Sequence, residues 1–288
     1  MTTIKAFIKS HPVLAYFALT FAISWGGVLI VVGPGEFPAT PKQFDSLFPF
    51  PILALLVGPP VAAILLTGLV YGRAGFRDLL ARMTRWQVSA RWYAVALLTA
   101  PLLFTAILLA LSLTSSVFLP GILTTSNKAS LLLFGLVVGL TAGIFEELGW
   151  TGFAIPRLRQ RHGVLGTGLI VGFLWGAWHF PLFSGSSVTS AAVPPALYLL
   201  VLLFSVLPAF RVLMVWVYER TGSLLVAMLM HVSLTASTLI LMPLATSGVT
   251  AVTYDLVLAA VLWVVAAAVA VANGGHLTRQ PLSRRRVA

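Results

Sequence analysis

Three observations predict an all-α, polytopic membrane protein of about eight transmembrane helices with a polar site inside the bundle. First, 59% of the 288 residues are hydrophobic and only 9% are charged, whereas a soluble domain carries about a quarter charged residues. Second, apolar runs of about 20 residues, the length that crosses the hydrocarbon core, recur along the whole chain. Third, the few ionisable residues inside those runs fall at one level and not at random. This composition excludes an ordinary cytosolic enzyme, a disordered chain and a nucleic-acid-binding module. The lipid bilayer is the expected partner and nucleic acid is not, despite a net charge of +11.

The spans are expected at about 12–33, 48–71, 92–114, 130–155, 165–183, 194–218, 222–243 and 250–272. The first is too long for a signal-peptide core and has no small-residue cleavage site after it, so it reads as a retained anchor. Residues 72–91 are no span. Phe76, Leu79, Leu80, Met83 and Trp86 recur at helical spacing among arginines, which fits either an interfacial amphipathic helix or a basic linker. With no internal repeat or low-complexity tract, residues 1–288 are expected to form a single integral membrane domain.

Eight crossings put both termini on one side, and the positive-inside rule selects it. Lys5 and Lys9, the five arginines of 73–91, Arg157, Arg159, Arg161, Arg220 and the four tail arginines from Arg279 to Arg286 fall on one face. That is fifteen cations against Lys42 and Lys128 on the other, with Arg211 inside span six. Both termini are therefore expected in the cytoplasm. The absence of cysteine excludes disulfides, thiolate metal sites and a cysteine nucleophile.

An ionised side chain near the bilayer centre costs roughly 2.5–3.5 kcal/mol on insertion scales and marks a functional site by default. Glu146 and Glu147 lie in span four, His179 in span five, Arg211 in span six and His231 in span seven. At about 1.5 Å per residue all of them fall in one layer between the mid-membrane and the arginine-rich side. Asp255, in span eight, is expected at the outer interface. Small residues set the facing surfaces: Gly135, Gly139 and Gly143 run into Glu147, Gly168, Gly172 and Gly176 lead to His179, and Ser223 and Ala227 share a register with His231 and Thr235. Spans four, five and seven are thus expected to pack together.

Adjacent carboxylates and two histidines can hydrolyse an amide. Glu146 can take a proton from water, and His179 and His231 can donate to an oxyanion or ligate a metal. Two histidines and one glutamate also match a catalytic zinc set, so a divalent metal such as zinc is left open, with no other cofactor expected.

The stretches Glu146-Glu147-Leu148-Gly149-Trp150-Thr151, Trp175-Gly176-Ala177-Trp178-His179 and His231-Val232-Ser233-Leu234-Thr235 resemble the three motifs of the CPBP family, the type II CAAX prenyl endopeptidases and bacteriocin-processing intramembrane proteases: E-E-x-x-x-R, F-x-x-x-H and H-x-x-x-N. The similarity covers a core of about residues 130–240, and Gly58-Pro59-Pro60 also resembles bacterial members. The resemblance implies an eight-helix membrane protease with a conical cavity. Glu146 would activate the water, Glu147, His179 and His231 would complete the catalytic set, and Thr151, Trp175, Thr235 and Arg211 would support it. Thr151 stands where the motif has Arg, Trp175 where it has Phe and Thr235 where it has Asn. The aromatic exchange is expected to matter little and Thr235 to keep a hydrogen-bonding group. Thr151 removes the cation one turn from Glu147, and Arg211 is expected either to replace it or to snorkel to the cytoplasmic interface on its long stem. The expected substrate is a peptide or protein, prenylated or of leader type, in a bacterial plasma membrane. A non-catalytic scaffold or immunity-type protein of the same fold, and a proton-coupled transporter, are the rival readings.

Overall fold

The structure is a computed structural model that describes residues 2–34, 40–183, 193–243, 248–273 and 277. The tail arginines from Arg279 to Arg286 lie outside the described residues. Among the described residues eight helical segments are long and apolar enough to cross a membrane, and their ends fall within a few residues of the expected runs, except where 48–71 continues to Met83. Among the described residues there is no β-strand.

The principal helices are α1 (Pro12–Val32), α2 (Phe50–Leu66), α3 (Gly72–Met83), α4 (Ala90–Ser112), α5 (Lys128–Gly149), α6 (Val164–Trp178), α7 (Leu207–Thr221), α8 (Leu224–Leu241) and α9 (Val249–Ala272). Large apolar side chains such as Ile30, Leu102, Leu133 and Val264 are more than half exposed. A helix apolar on every side suits a hydrocarbon surround. α7 is the inner helix, with every residue from Pro208 to Val215 buried.

Residues 72–91 resolve into both expected alternatives. Gly72, at φ +58, turns the chain out of the preceding π-helical turn into α3, and a linker from Thr84 to Ser89 follows. Leu79 and Met83 of α3 pack against Leu224 and Met228 of α8, while Phe76, Leu80 and Trp86 stay exposed. The amphipathic helix is therefore docked on the arginine-rich end of the bundle.

Prolines tie the helices together. A proline inside a helix cannot donate to the carbonyl four residues back, and in a membrane that carbonyl needs another donor. Pro59 leaves the Leu55 carbonyl, which accepts from the Ser24 hydroxyl of α1 at 2.6 Å. Pro101 leaves the Leu97 carbonyl, which accepts from the Ser233 hydroxyl of α8 at 2.7 Å. Pro156 leaves the Gly152 carbonyl, which accepts from Arg82 Nη2 of α3 at 2.9 Å. Ser24 also accepts from the Trp178 indole at 2.8 Å, which ties α1 and α2 to the end of α6.

The glycine stripes pair the helices differently from the sequence expectation. The stripe of α5 does face α8: a Cβ added at Gly139 would lie 2.9 Å from the Val232 carbonyl oxygen, and one at Gly143 would lie 2.6 Å from the Val232 side chain. The stripe of α6 instead faces α7 and the turn before it. A Cβ at Gly168 would lie 2.7 Å from Val212 Cα, one at Gly172 2.6 Å from Pro208 Cα, and one at Gly176 would collide with the Leu203 carbonyl. Spans four, five and seven do not pack as one trio; α7 is the intervening wall, and it brings Arg211 with it. Asp255 is also placed differently. It is 2% exposed and, among the described residues, its Oδ2 has no hydrogen-bond partner, because α9 turns this residue into the bundle, within electrostatic reach of Tyr254 and Tyr198.

Candidate active site

Each polar group reaches the site from a different helix for a local reason. Glu146 and Glu147 close α5, and the π-helical turn Trp150–Ala154 follows at once, a distortion common at functional sites. Because α5 meets α8 through glycine, both carboxylates turn into the bundle and are 3% and 0% exposed. Arg211 comes from the inner helix α7. Its Cβ sits opposite Gly172, where an added Cβ would stand 3.3 Å away, so the stripe that lets α6 and α7 meet also makes room for the guanidinium. His231 lies mid-way along α8, and His179 directly follows α6.

Glu147 is the hub. Its Oε1 accepts from Arg211 Nη1 at 2.7 Å and lies 2.7 Å from His231 Nδ1, and its Oε2 accepts from the Thr151 hydroxyl. The cation that the first motif lacks at 151 is therefore supplied by Arg211 from another helix, as expected, and both partners of that ion pair are fully buried. Thr151 still contributes, through a hydroxyl one turn along. A buried cation and a carboxylate that neutralise one another are tolerated where either alone would be strongly unfavourable.

Glu146 has a different environment. Its Oε2 accepts from the Trp175 indole Nε1 at 2.6 Å, and its Oε1 lies 3.8 Å from His231 Nε2. That gap is too long for a direct hydrogen bond. The exchange of Phe for Trp at 175 therefore changes the chemistry of the site, contrary to the sequence expectation, because only the indole has an in-plane N–H. The Trp175 ring also carries the Arg211 guanidinium 4.0 Å above its face, and it meets the His231 and His179 rings edge-on, each at 5.3 Å. His179 Nδ1 lies 2.8 Å from the Trp175 carbonyl oxygen, and since a carbonyl only accepts, Nδ1 carries the proton and Nε2 presents its lone pair. Trp178 holds the other side of the His179 ring at 4.7 Å.

Thr235 is half-buried one turn beyond His231. Among the described residues it donates no side-chain hydrogen bond, so the hydrogen-bonding role expected for it does not appear in this arrangement. Sequence reasoning passed over Tyr16. This α1 residue is fully buried, stacks near Trp150 and Phe153, and lies within electrostatic reach of Glu147, Arg211 and Glu146. Its signal was a tyrosine inside an otherwise apolar run.

The donor set does not fit a zinc ion as arranged. Among the described residues no three His, Asp or Glu side chains converge as a metal site would require. His231 Nε2 and Glu146 Oε1 supply two donors where catalytic zinc takes three from the protein. Glu147 is already committed to Arg211, His231 and Thr151, and the guanidinium is a fixed neighbouring cation. The two histidines both meet the Trp175 ring, and with Glu146 they form no three-ligand cluster among the described residues.

Comparison with known proteins places this arrangement. The family model "Type II CAAX prenyl endopeptidase Rce1-like" matches residues 128–237, the segment that runs from the start of α5 through most of α8. A protein of Methanococcus maripaludis called CAAX prenyl protease 2 is 25% identical over 179 residues. That match takes in 60% of this chain and 63% of the relative, so the similarity spans a little under two thirds of each. The three motifs, the family match over the helices that carry them and this relative agree: residues 128–237 of this chain are similar to the type II CAAX prenyl endopeptidases.

Proposed function

We propose that the chain is an intramembrane endopeptidase that hydrolyses a peptide bond near the cytoplasmic side of the membrane, with Glu146 as the base. The observation that carries this reading is the unequal treatment of two adjacent, buried carboxylates. Glu147 is saturated by Arg211, His231 and Thr151. Glu146 keeps one oxygen directed at His231 Nε2 across 3.8 Å, a separation at which a single water can touch both groups.

In this mechanism the water donates to Glu146 Oε1 and attacks the scissile carbonyl carbon. Its proton passes to Glu146, the carbonyl π electrons move onto oxygen, and the tetrahedral oxyanion forms. His231 is oriented by Nδ1–H toward Glu147, and in its protonated form Nε2–H donates to that oxyanion. Collapse of the intermediate breaks the C–N bond, and Glu146 returns its proton to the leaving amine. His179 stands at the other ring contact of Trp175, within electrostatic reach of Glu146. No step requires a metal.

The family and the relative's name favour a C-terminally prenylated peptide as substrate, and a leader-type peptide is the alternative. Fifteen cations on one face against two on the other favour a cytoplasmic location for the termini and α3, and a bacterial plasma membrane is the setting proposed for them. The test is cleavage by purified protein in nanodiscs of prenylated and leader-type peptides, wild type against Glu146→Gln, with and without chelator. Cleavage lost in the variant and unaffected by chelator supports the reading. Equal cleavage by both proteins rules out Glu146 as base, and chelator-sensitive cleavage rules out the metal-free water.

A further inference from the structure

We propose that Trp175 is a positioning residue that makes the two adjacent glutamates chemically unequal, committing Arg211 to Glu147 and selecting Oε1 of Glu146 as the reactive oxygen. This rests on the reading of Glu146 as base and adds a residue to it.

A planar indole offers two distinct surfaces. Its face is electron-rich and attracts a cation, and its edge carries one N–H that donates in the ring plane. Arg211 occupies the face of Trp175, with Cζ 4.0 Å from the ring centre, and Glu146 Oε2 occupies the edge, 2.6 Å from Nε1. A guanidinium held over the ring face and an acceptor held at the ring edge occupy different sides of the indole. Accordingly Arg211 bonds Glu147 through Nη1, while its Nε and Nη2 make no hydrogen bond among the described residues. Glu146 therefore has no guanidinium hydrogen bond, although it is the next residue in the chain.

The same edge contact fixes which oxygen of Glu146 is available. With Oε2 held by the indole, Oε1 is the oxygen that lies 3.8 Å from His231 Nε2. The carboxylate cannot rotate without breaking a charge-assisted hydrogen bond in a dry site. Trp175 also meets the rings of both histidines and accepts from His179 through its carbonyl. One residue thereby sets the spacing of four others. A phenylalanine in its place would keep the ring contacts and the cation above the face but would leave Glu146 without its donor.

The test is Trp175→Phe beside Glu146→Gln, in nanodiscs, with two readouts. In the first, the protein carries ¹⁵N-labelled tryptophan, and the variant Trp175→Phe identifies by its loss which of the eight indole N–H signals belongs to Trp175. That signal is expected downfield of the others in wild type and is expected to move upfield in Glu146→Gln. The second readout is peptide cleavage: kcat is expected to fall about 10-fold or more in Trp175→Phe, with KM within about 2-fold, because Trp175 acts on the base and not on the substrate. An indole signal that ignores Glu146→Gln overturns the proposal, and so does an undiminished kcat in Trp175→Phe beside an inactive Glu146→Gln, which leaves the base reading intact. A fully active Glu146→Gln overturns the base itself, and the indole signal then still reports whether the hydrogen bond exists. If Trp175→Phe does not fold, the eight wild-type signals are compared with those of Glu146→Gln directly, and the absence of any downfield indole signal that moves upfield overturns the proposal.

Discussion

Arg211 Nη1 lies 2.7 Å from Glu147 Oε1, joining two fully buried side chains 64 residues apart in the sequence. The cation that the family motif places one turn along the same helix is here carried on a different helix and aimed back at the same carboxylate.

A buried pair of this kind is far more sensitive to losing one partner than to losing both. Arg211→Met is expected to destabilise the protein by about 3–5 kcal/mol, because it leaves Glu147 charged and partly unpaired in a dry site. The double variant Arg211→Met/Glu147→Leu is expected to recover most of that loss. Thermal unfolding in detergent measures the coupling, and additive effects of the two changes would argue against the pair.

The relocation of the cation can be reversed. Thr151→Arg alone puts two guanidinium groups around one carboxylate and is expected to lower stability. In the Arg211→Met background the same change restores one cation per carboxylate, so the double variant is expected to be more stable than either single variant. A thermal-shift comparison of the three proteins checks this. Thr151→Val, which removes the hydroxyl from Glu147 Oε2, is expected to cost about 1–3 kcal/mol.

Helix contact through the α6 stripe leaves no room for a side chain. Gly172→Leu is expected to prevent α6 and α7 from closing, since even a Cβ there would lie 2.6 Å from the Pro208 backbone. Overpacking of a tight core costs about 1–3 kcal/mol or more, and here it would also displace Arg211. Loss of a monodisperse peak in size-exclusion chromatography is the expected result. Leucine at Gly166, where an added Cβ has only the His162 side chain 3.6 Å away, is the control and is expected to be tolerated.

Proline-freed carbonyls make a milder prediction. Ser233→Ala removes the donor that the Leu97 carbonyl takes in place of the Pro101 amide. Single interhelical hydrogen bonds in membranes are worth about 0.6 kcal/mol on average and at most about 1.7. A loss in that range is expected, and the further change Pro101→Ala should abolish it, because the helix then supplies its own donor. A double-mutant cycle on unfolding midpoints measures this.

Asp255 is the one buried carboxyl group away from the site among the described residues, and its Oδ2 is unpartnered there. Replacing it with leucine removes a polar group buried without compensation. Asp255→Leu is expected to raise the unfolding temperature without altering cleavage, and a lowered midpoint would mean that the carboxyl group has a structural partner.

The sequence by itself determined the eight apolar spans, their limits to within a few residues except where the second continues to Met83, and the common level of Glu146, Glu147, His179, Arg211 and His231. These follow from one-dimensional quantities: the length of an apolar run against the thickness of a bilayer, the cost of an ionised group within it, and a fixed rise per residue. The pairing of Arg211 with Glu147 was legible for the same reason, since a buried cation must find a carboxylate and depth left few choices. What the sequence did not determine was lateral order. A glycine stripe marks a face that will be approached closely, but not by which neighbour, and so α6 was matched with the wrong helices until α7 was placed. The role of Trp175 was hidden for a related reason. By composition tryptophan and phenylalanine are both large apolar rings, and only the tertiary structure decides whether the indole N–H meets lipid or a carboxylate. The inward turn of Asp255 depended on the rotation of α9 about its own axis, which hydropathy does not encode when the helix is apolar on every side.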